Sequence, residues 1–221
     1  VATLLALSGW LRRRGATPAM ALGAAAVLSF FEPLYRGFTT GMAEVPLSFA
    51  MLLLGTAFCD RLDRADLLPA IVFVFSRVGC DAAVRQCLDA GVRLTLPEER
   101  DEIRAIVEER CADIPDEDLH VLGYHEWVDG LERGLAAHHA GMLPTFKEVV
   151  EELFVRGLVR AVFATETLAL GINMPARSVV IERLVKWNGE THAEVTPGEY
   201  TQLTGRAGRR GIDAEGHGIV L

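Results

Sequence analysis

Pro69-Ala-Ile-Val-Phe-Val-Phe75 is an uncharged run dominated by β-branched and aromatic side chains. A strand with one wet face alternates apolar and polar residues. This run does not, so it reads as a strand buried on both faces, the signature of a parallel sheet. Working outward, a helical pattern covers about Cys80 to Ala90 and stops at Gly91. An acidic, helical stretch follows from Pro97 to about Gly134, read as an insertion over residues 92–134. Leu135–His139 reads as a further strand. Pro144 opens a helix that places Phe146, Val149, Val150, Leu153 and Phe154 on one face, and Gly157 ends it. Leu158–Ala164, Ser178–Glu182 and Gly218–Leu221 complete a set of strands alternating with helices. The expected fold class is α/β, a parallel sheet with helices on both faces. Such sheets take their ligands at the carboxyl ends of the strands.

Composition divides the chain. Between Gly15 and Cys59 the only charges are Glu32, Arg36 and Glu44. Two apolar stretches there, Thr17–Phe31 and Val45–Cys59, run about 15 residues each, whereas a membrane span needs about 20. Residues 1–60 are therefore read as an apolar, helical segment of unknown origin, with a short membrane hairpin over residues 17–59 as one form of it. Residues 61–221 are read as a separate α/β domain. The net charge of the chain is −8, which excludes nucleic-acid binding by overall charge and demands local contacts. Cys59, Cys80, Cys87 and Cys111 form no C-x-x-C pair and read as reduced, intracellular thiols.

The C-terminal region carries the chemistry. Thr196-Pro-Gly-Glu199 is a capping box that opens a helix. Continued through Tyr200, Gln202, Arg206 and Arg209, that helix presents an amide and two guanidiniums on one face, at offsets of four and three. Gly205, Ala207, Gly208 and Gly211 around them let another surface approach closely. A guanidinium matches phosphate oxygens with a planar fork. Upstream, Ala164-Thr-Glu-Thr-Leu-Ala-Leu-Gly-Ile-Asn-Met-Pro175 leaves a buried strand. Thr165 and Thr167 offer hydroxyls suited to a backbone phosphate, which carries no base identity. Gly171 allows close approach, and Asn173 offers hydrogen bonds to a ribose hydroxyl. Phe75-Ser-Arg-Val-Gly-Cys80 closes the first strand. In His138-His-Ala-Gly-Met-Leu-Pro144 the adjacent histidines point to opposite sheet faces, and His139 is the one favoured to face a ligand. Asn188-Gly189 lies between two short alternating runs, a hairpin signal; Trp187 beside it offers a ring for base stacking.

Gln202-Leu-Thr-Gly-Arg-Ala-Gly-Arg-Arg-Gly211 resembles motif VI of the superfamily 2 helicases, in the form found in the Ski-like branch of the DExH-box enzymes. The segment from Ala164 to Pro175 is similar to motif V, and that from Phe75 to Cys80 to motif IV. The resemblance covers about residues 65–221. It implies a RecA-like domain, the second of two motor domains in an ATP-dependent RNA or DNA helicase. It assigns Arg206, Arg209 and Gln202 to catalysis as arginine fingers and γ-phosphate positioning. Gly171, Asn173 and Gly205 fall beside ATP. Ser76, Arg77, His139, Gly141, Thr165 and Glu166 fall beside a single strand, with Trp187 on a duplex-parting hairpin.

The same resemblance makes some absences informative. No Gly-x-x-x-x-Gly-Lys-Ser/Thr occurs, so the phosphate-cradling loop is expected on a first RecA-like domain together with the Mg ligands. Asp116-Glu-Asp-Leu-His120 matches a DExH box only superficially; its spacing differs and it sits in the acidic helical stretch. The chain alone is therefore expected not to hydrolyse ATP. Expected partners are single-stranded nucleic acid and the first motor domain. No metal site is expected in the chain itself. The expected location is cytoplasmic, with membrane association if residues 1–60 act as an anchor. The competing expectation is a RecA-like module, free or membrane-anchored, that binds nucleic acid or a protein without turnover.

Overall fold

The computed structural model describes residues 59, 61–169, 174–187 and 191–221. Within them the chain runs β1 (Ala70–Phe73), α1 (Arg77–Asp89), α2 (Pro97–Arg110), α3 (Asp116–Val121), α4 (Tyr124–Glu132), β2 (Leu135–His138) and α5 (Pro144–Val155). It continues with β3 (Ala161–Ala164), a 3-10 turn (Glu166–Ala169), β4 (Ser178–Ile181), β5 (Val185–Trp187), β6 (His192–Glu194), α6 (Pro197–Thr204) and β7 (His217–Val220).

Five strands form one parallel sheet in the order β2-β3-β1-β4-β7. Every residue of β1, β2, β3 and β4 is buried. That is why their sequences do not alternate: both faces are covered. β7 forms an edge and alternates between half-buried and exposed residues. Ile71, Phe73, Ala136, Val162, Ala164, Val179 and Ile181 meet one core layer, which α2, α4 and α5 complete and to which α6 adds Leu203. Val72, Val74, Ala137, Phe163 and Val180 meet the other, against Ala83, Val84 and Cys87 of α1. Helices thus cover both faces, and the fold is the RecA-like α/β class expected.

Some boundaries shift for local reasons. α1 begins at Arg77 rather than Cys80, because the Ser76 hydroxyl caps it by accepting from Gly79 N–H at 3.2 Å. α5 spans Pro144–Val155 and buries the five residues expected on its inner face. The acidic stretch is three helices: Arg104–Glu132 ties α2 to α4, while Arg110–Glu152 and Arg160–Glu99 tie α2 to α5 and to the residue before β3. No described helix is long and apolar enough to cross a membrane. The apolar segment over residues 1–58 lies outside the described residues.

Candidate nucleotide and nucleic-acid interface

The carboxyl ends of β2, β3 and β1 are neighbours in the sheet, and three of the sequence motifs leave from them. Thr165 N–H, just beyond β3, donates to His138 O at 3.2 Å. The Thr165 and Thr167 hydroxyls face each other at 2.9 Å and are exposed or half-buried. Ser76 spends its oxygen on capping α1, while Arg77 is exposed and its Cδ lies beside Gly141. Ser76, Arg77, His139 and Gly141 therefore come together as one patch.

The two histidines do point to opposite faces. His138 pairs with Glu151 of α5 through Nε2 at 2.9 Å, and His139 pairs with Asp81 of α1 through Nε2 at 3.0 Å. Burial outweighs Glu151 and pushes the His138 pKa below the usual histidine value. His139 is itself buried, and its Nδ1 accepts Gly141 N–H at 3.1 Å. An Nδ1 that accepts leaves the proton on Nε2, where Asp81 accepts it. His139 thus shapes the Ala140–Gly141 turn beside Arg77 instead of opening its ring to solvent. A Cβ on Gly141 would sit 3.1 Å from that ring nitrogen.

Motif VI is arranged differently from the expectation. The capping box is present: Thr196 Oγ1 accepts from Glu199 N–H, and the Glu199 carboxylate accepts from Thr196 N–H at 2.9 Å. But α6 stops at Thr204, so Gln202, Arg206 and Arg209 do not share one continuous helix face. Gly205 closes the last turn by donating to Thr201 O, and a Cβ there would come within 2.9 Å of that carbonyl. Beyond it the chain becomes a loop that pairs with Ala176, just before β4. Ala176 N–H donates to Arg206 O at 3.0 Å and Gly208 N–H to Ala176 O at 2.7 Å. Gly208 reaches this course with φ +90, a left-handed conformation that glycine permits. Extended pairing competes with a helix here, and a glycine-rich segment has little helical preference with which to resist.

The loop sends its arginines two ways. Arg206 Nη2 donates to Ala169 O at 2.6 Å, at the end of the motif V turn. Gln202 lines a small cavity of about 140 Å³ with Phe75, Glu166, Lys186 and Glu199. Gln202, Arg206 and Glu166 are thus gathered around one turn. Arg209 turns toward Asp213 instead. Its backbone N–H, Nε and Nη2 all reach that carboxylate, at 2.9, 2.8 and 2.7 Å. The Arg209 contacts hold the Asp213 carboxyl down at about 2, and Arg177 adds to the effect. Arg177 precedes β4 and pairs with Asp66 at 2.6 Å, so this cluster lies toward the amino end of β4.

Trp187 ends β5, pairs with His192 across the hairpin and meets its ring edge-on at 5.3 Å; it is exposed. Gly171 and Asn173 lie outside the described residues, as does the Asn188-Gly189 pair. Three residues escaped the sequence reading: Lys186, Asp213 and Asp81. Each acts through a partner distant in sequence or across a turn, and a single sequence carries no periodic signal for such pairs. Among the described residues no cluster suited to a metal ion occurs.

Comparison with known proteins gives the family. Residues 111–211 match the family described as helicase conserved C-terminal domain. The chain is 70% identical over 161 residues to "Probable helicase HelY" of Mycobacterium tuberculosis, across 73% of this chain and 18% of that protein. It is 46% identical over 154 residues to human "Superkiller complex protein 2", across 70% of this chain and 12% of the other. It is 39% identical over 162 residues to "Antiviral helicase SKI2" of Saccharomyces cerevisiae, across 73% and 12%. The chain spans less than a fifth of the length of these relatives. With the RecA-like sheet and the motif VI loop in place, the chain belongs to the Ski-like branch of the superfamily 2 DExH-box helicases, as a segment bearing their C-terminal helicase domain.

Proposed function

We propose that this chain supplies the second half of an ATP-driven nucleic-acid motor. The observation that carries the reading is the joint between motif V and motif VI: Arg206 donates to Ala169 O while Gln202 lines the same turn. A change at a nucleotide held by Arg206 and Gln202 is thereby felt at Thr165 and Glu166, beside the bound strand. ATP sits between this domain and a first RecA-like domain that provides the phosphate loop and the Mg ligands. Gly171, Asn173 and Gly205 lie along the nucleotide. Arg209 also serves the γ-phosphate. Asp213 engages its backbone N–H and the Nε–Nη2 edge of its guanidinium. Ser76, Arg77, Gly141 and Thr165 form the edge that follows the strand backbone, with His139 shaping the turn beneath it. Contacts to phosphates position a strand without reading its bases, so little sequence preference is expected.

The reading is tested by mixing the chain with a separately prepared first motor domain from a HelY-type relative and measuring ATP hydrolysis with and without single-stranded nucleic acid. Stimulated hydrolysis is expected from the mixture and none from the chain alone. Arg209→Ala is expected to lower kcat by about 10³-fold or more, the scale of an arginine finger. An unchanged rate removes Arg209 from catalysis, and no hydrolysis by the unmodified mixture favours a binding module without turnover.

A further inference from the structure

Lys186 lines the cavity between motifs V and VI, and nothing in the motifs themselves accounts for it. In β5 its neighbours Val185 and Trp187 face solvent, so strand alternation turns Lys186 inward. Its ammonium lies 2.7 Å from Glu166 Oε2 and 2.8 Å from Glu199 Oε1, with the side chain 15% exposed. The two carboxylates differ in what else supports them. Glu199 is the third residue of α6 and accepts Thr196 N–H and Thr196 Oγ1–H, and the helix N-terminus favours its charge. For Glu166 the Lys186 ammonium is the cation of its ion pair. Glu166 also directly follows Thr165, whose hydroxyl is the phosphate contact of the proposed strand path. An uncompensated carboxylate at that place would repel a phosphate, in a chain whose net charge is already −8.

We propose that Lys186 is a positioning residue that neutralises Glu166, so that the Thr165 turn accepts the phosphate backbone of a nucleic-acid strand. The inference rests on the strand-binding reading given above. Lys186 acts through Glu166 and does not itself touch the strand.

The test uses the full 221-residue chain and a fluorescent oligothymidylate or oligouridylate, with affinity read by anisotropy at one fixed low salt concentration. Lys186→Met is expected to weaken binding about tenfold, the scale of one uncompensated charge beside a phosphate. Adding Glu166→Gln to Lys186→Met is expected to restore affinity to within about twofold of the unmodified chain. Lys186→Arg keeps the charge and is expected to bind like the unmodified chain. A double variant as weak as Lys186→Met overturns the proposal, because the lysine is then itself a strand contact or a brace for the hairpin. Undiminished binding by Lys186→Met overturns it equally. Should Lys186→Met not fold, Glu166→Gln alone decides: loss of the carboxylate's charge tightens binding about threefold, and weaker binding overturns the proposal. If the unmodified chain binds neither oligonucleotide, the strand-binding reading fails first and this inference with it. Failure of the rescue alone leaves that reading intact.

Discussion

Asp213 illustrates what a single side chain does here. Its carboxylate is nearly buried and takes three hydrogen bonds from Arg209. Hydrogen bonds to charged groups are each worth about 1.5–3 kcal/mol, and they do not add. Asp213→Ala is therefore expected to cost about 2–3 kcal/mol, seen as a lower denaturant midpoint with an unchanged slope. The pH dependence has a definite sign. The Asp213 carboxyl is held down at about 2, below its value in an unfolded chain, so the folded state binds fewer protons in that interval. Its contribution to stability is complete above about pH 4 and is lost as pH falls toward 2. Glu199 is likewise lowered to about 2, by Lys186 first and then by Thr196, and follows the same sign. Acid unfolding followed by circular dichroism should begin at higher pH in Asp213→Asn than in the unmodified chain.

At the scale of elements, the motif VI loop is tightly confined. Gly216, just before β7, lies so close to it that a Cβ would stand 2.4 Å from Ala207 C and 2.5 Å from Gly208 N. Those atoms are backbone and cannot swing aside. Gly216→Ala must push the loop away from β7 and disturb the Ala176–Ala207 pairing. A loss of about 2 kcal/mol or more is expected, on the scale of backbone strain and overpacking. The amide hydrogens of Ala176 and Gly208 should exchange faster in that variant; unchanged protection would mean that the loop yields more readily than its contacts suggest. In the reconstituted motor the same variant should lower stimulated ATPase, because Arg206 and Arg209 leave from the displaced segment.

For the described domain as a whole, stability resides in two layers that share one sheet. Phe73 is fully buried among Ile71, Val149, Val150 and Leu153 in the same core layer. Phe73→Ala is expected to cost about 3–5 kcal/mol, since the surrounding strands and helices collapse only partly around the void. Both layers lie on strands whose carboxyl ends carry the candidate site, so a weakened core should also loosen the Arg77–Gly141 patch and the Thr165 turn. Equilibrium unfolding monitored together with oligonucleotide affinity checks that linkage.

The parallel sheet was legible in β1 and β3 because a strand covered on both faces needs apolar residues at every position. α5 was legible because its inner face repeats with the helical period, and the family because the residues from Gln202 to Gly211 form a long, unusual pattern. Where α6 ends was not legible. Offsets of three and four put Gln202, Arg206 and Arg209 on one face only if the helix continues, and Ala176 claims the segment for extended pairing instead. That pairing joins residues about thirty positions apart, and the Lys186–Glu166 and His139–Asp81 contacts span twenty and fifty-eight. Residue types and local periods set which chemistry the chain brings. Long-range backbone pairing and burial set which of those groups meet, because such contacts are chosen by the folded whole and leave no local repeat in the sequence.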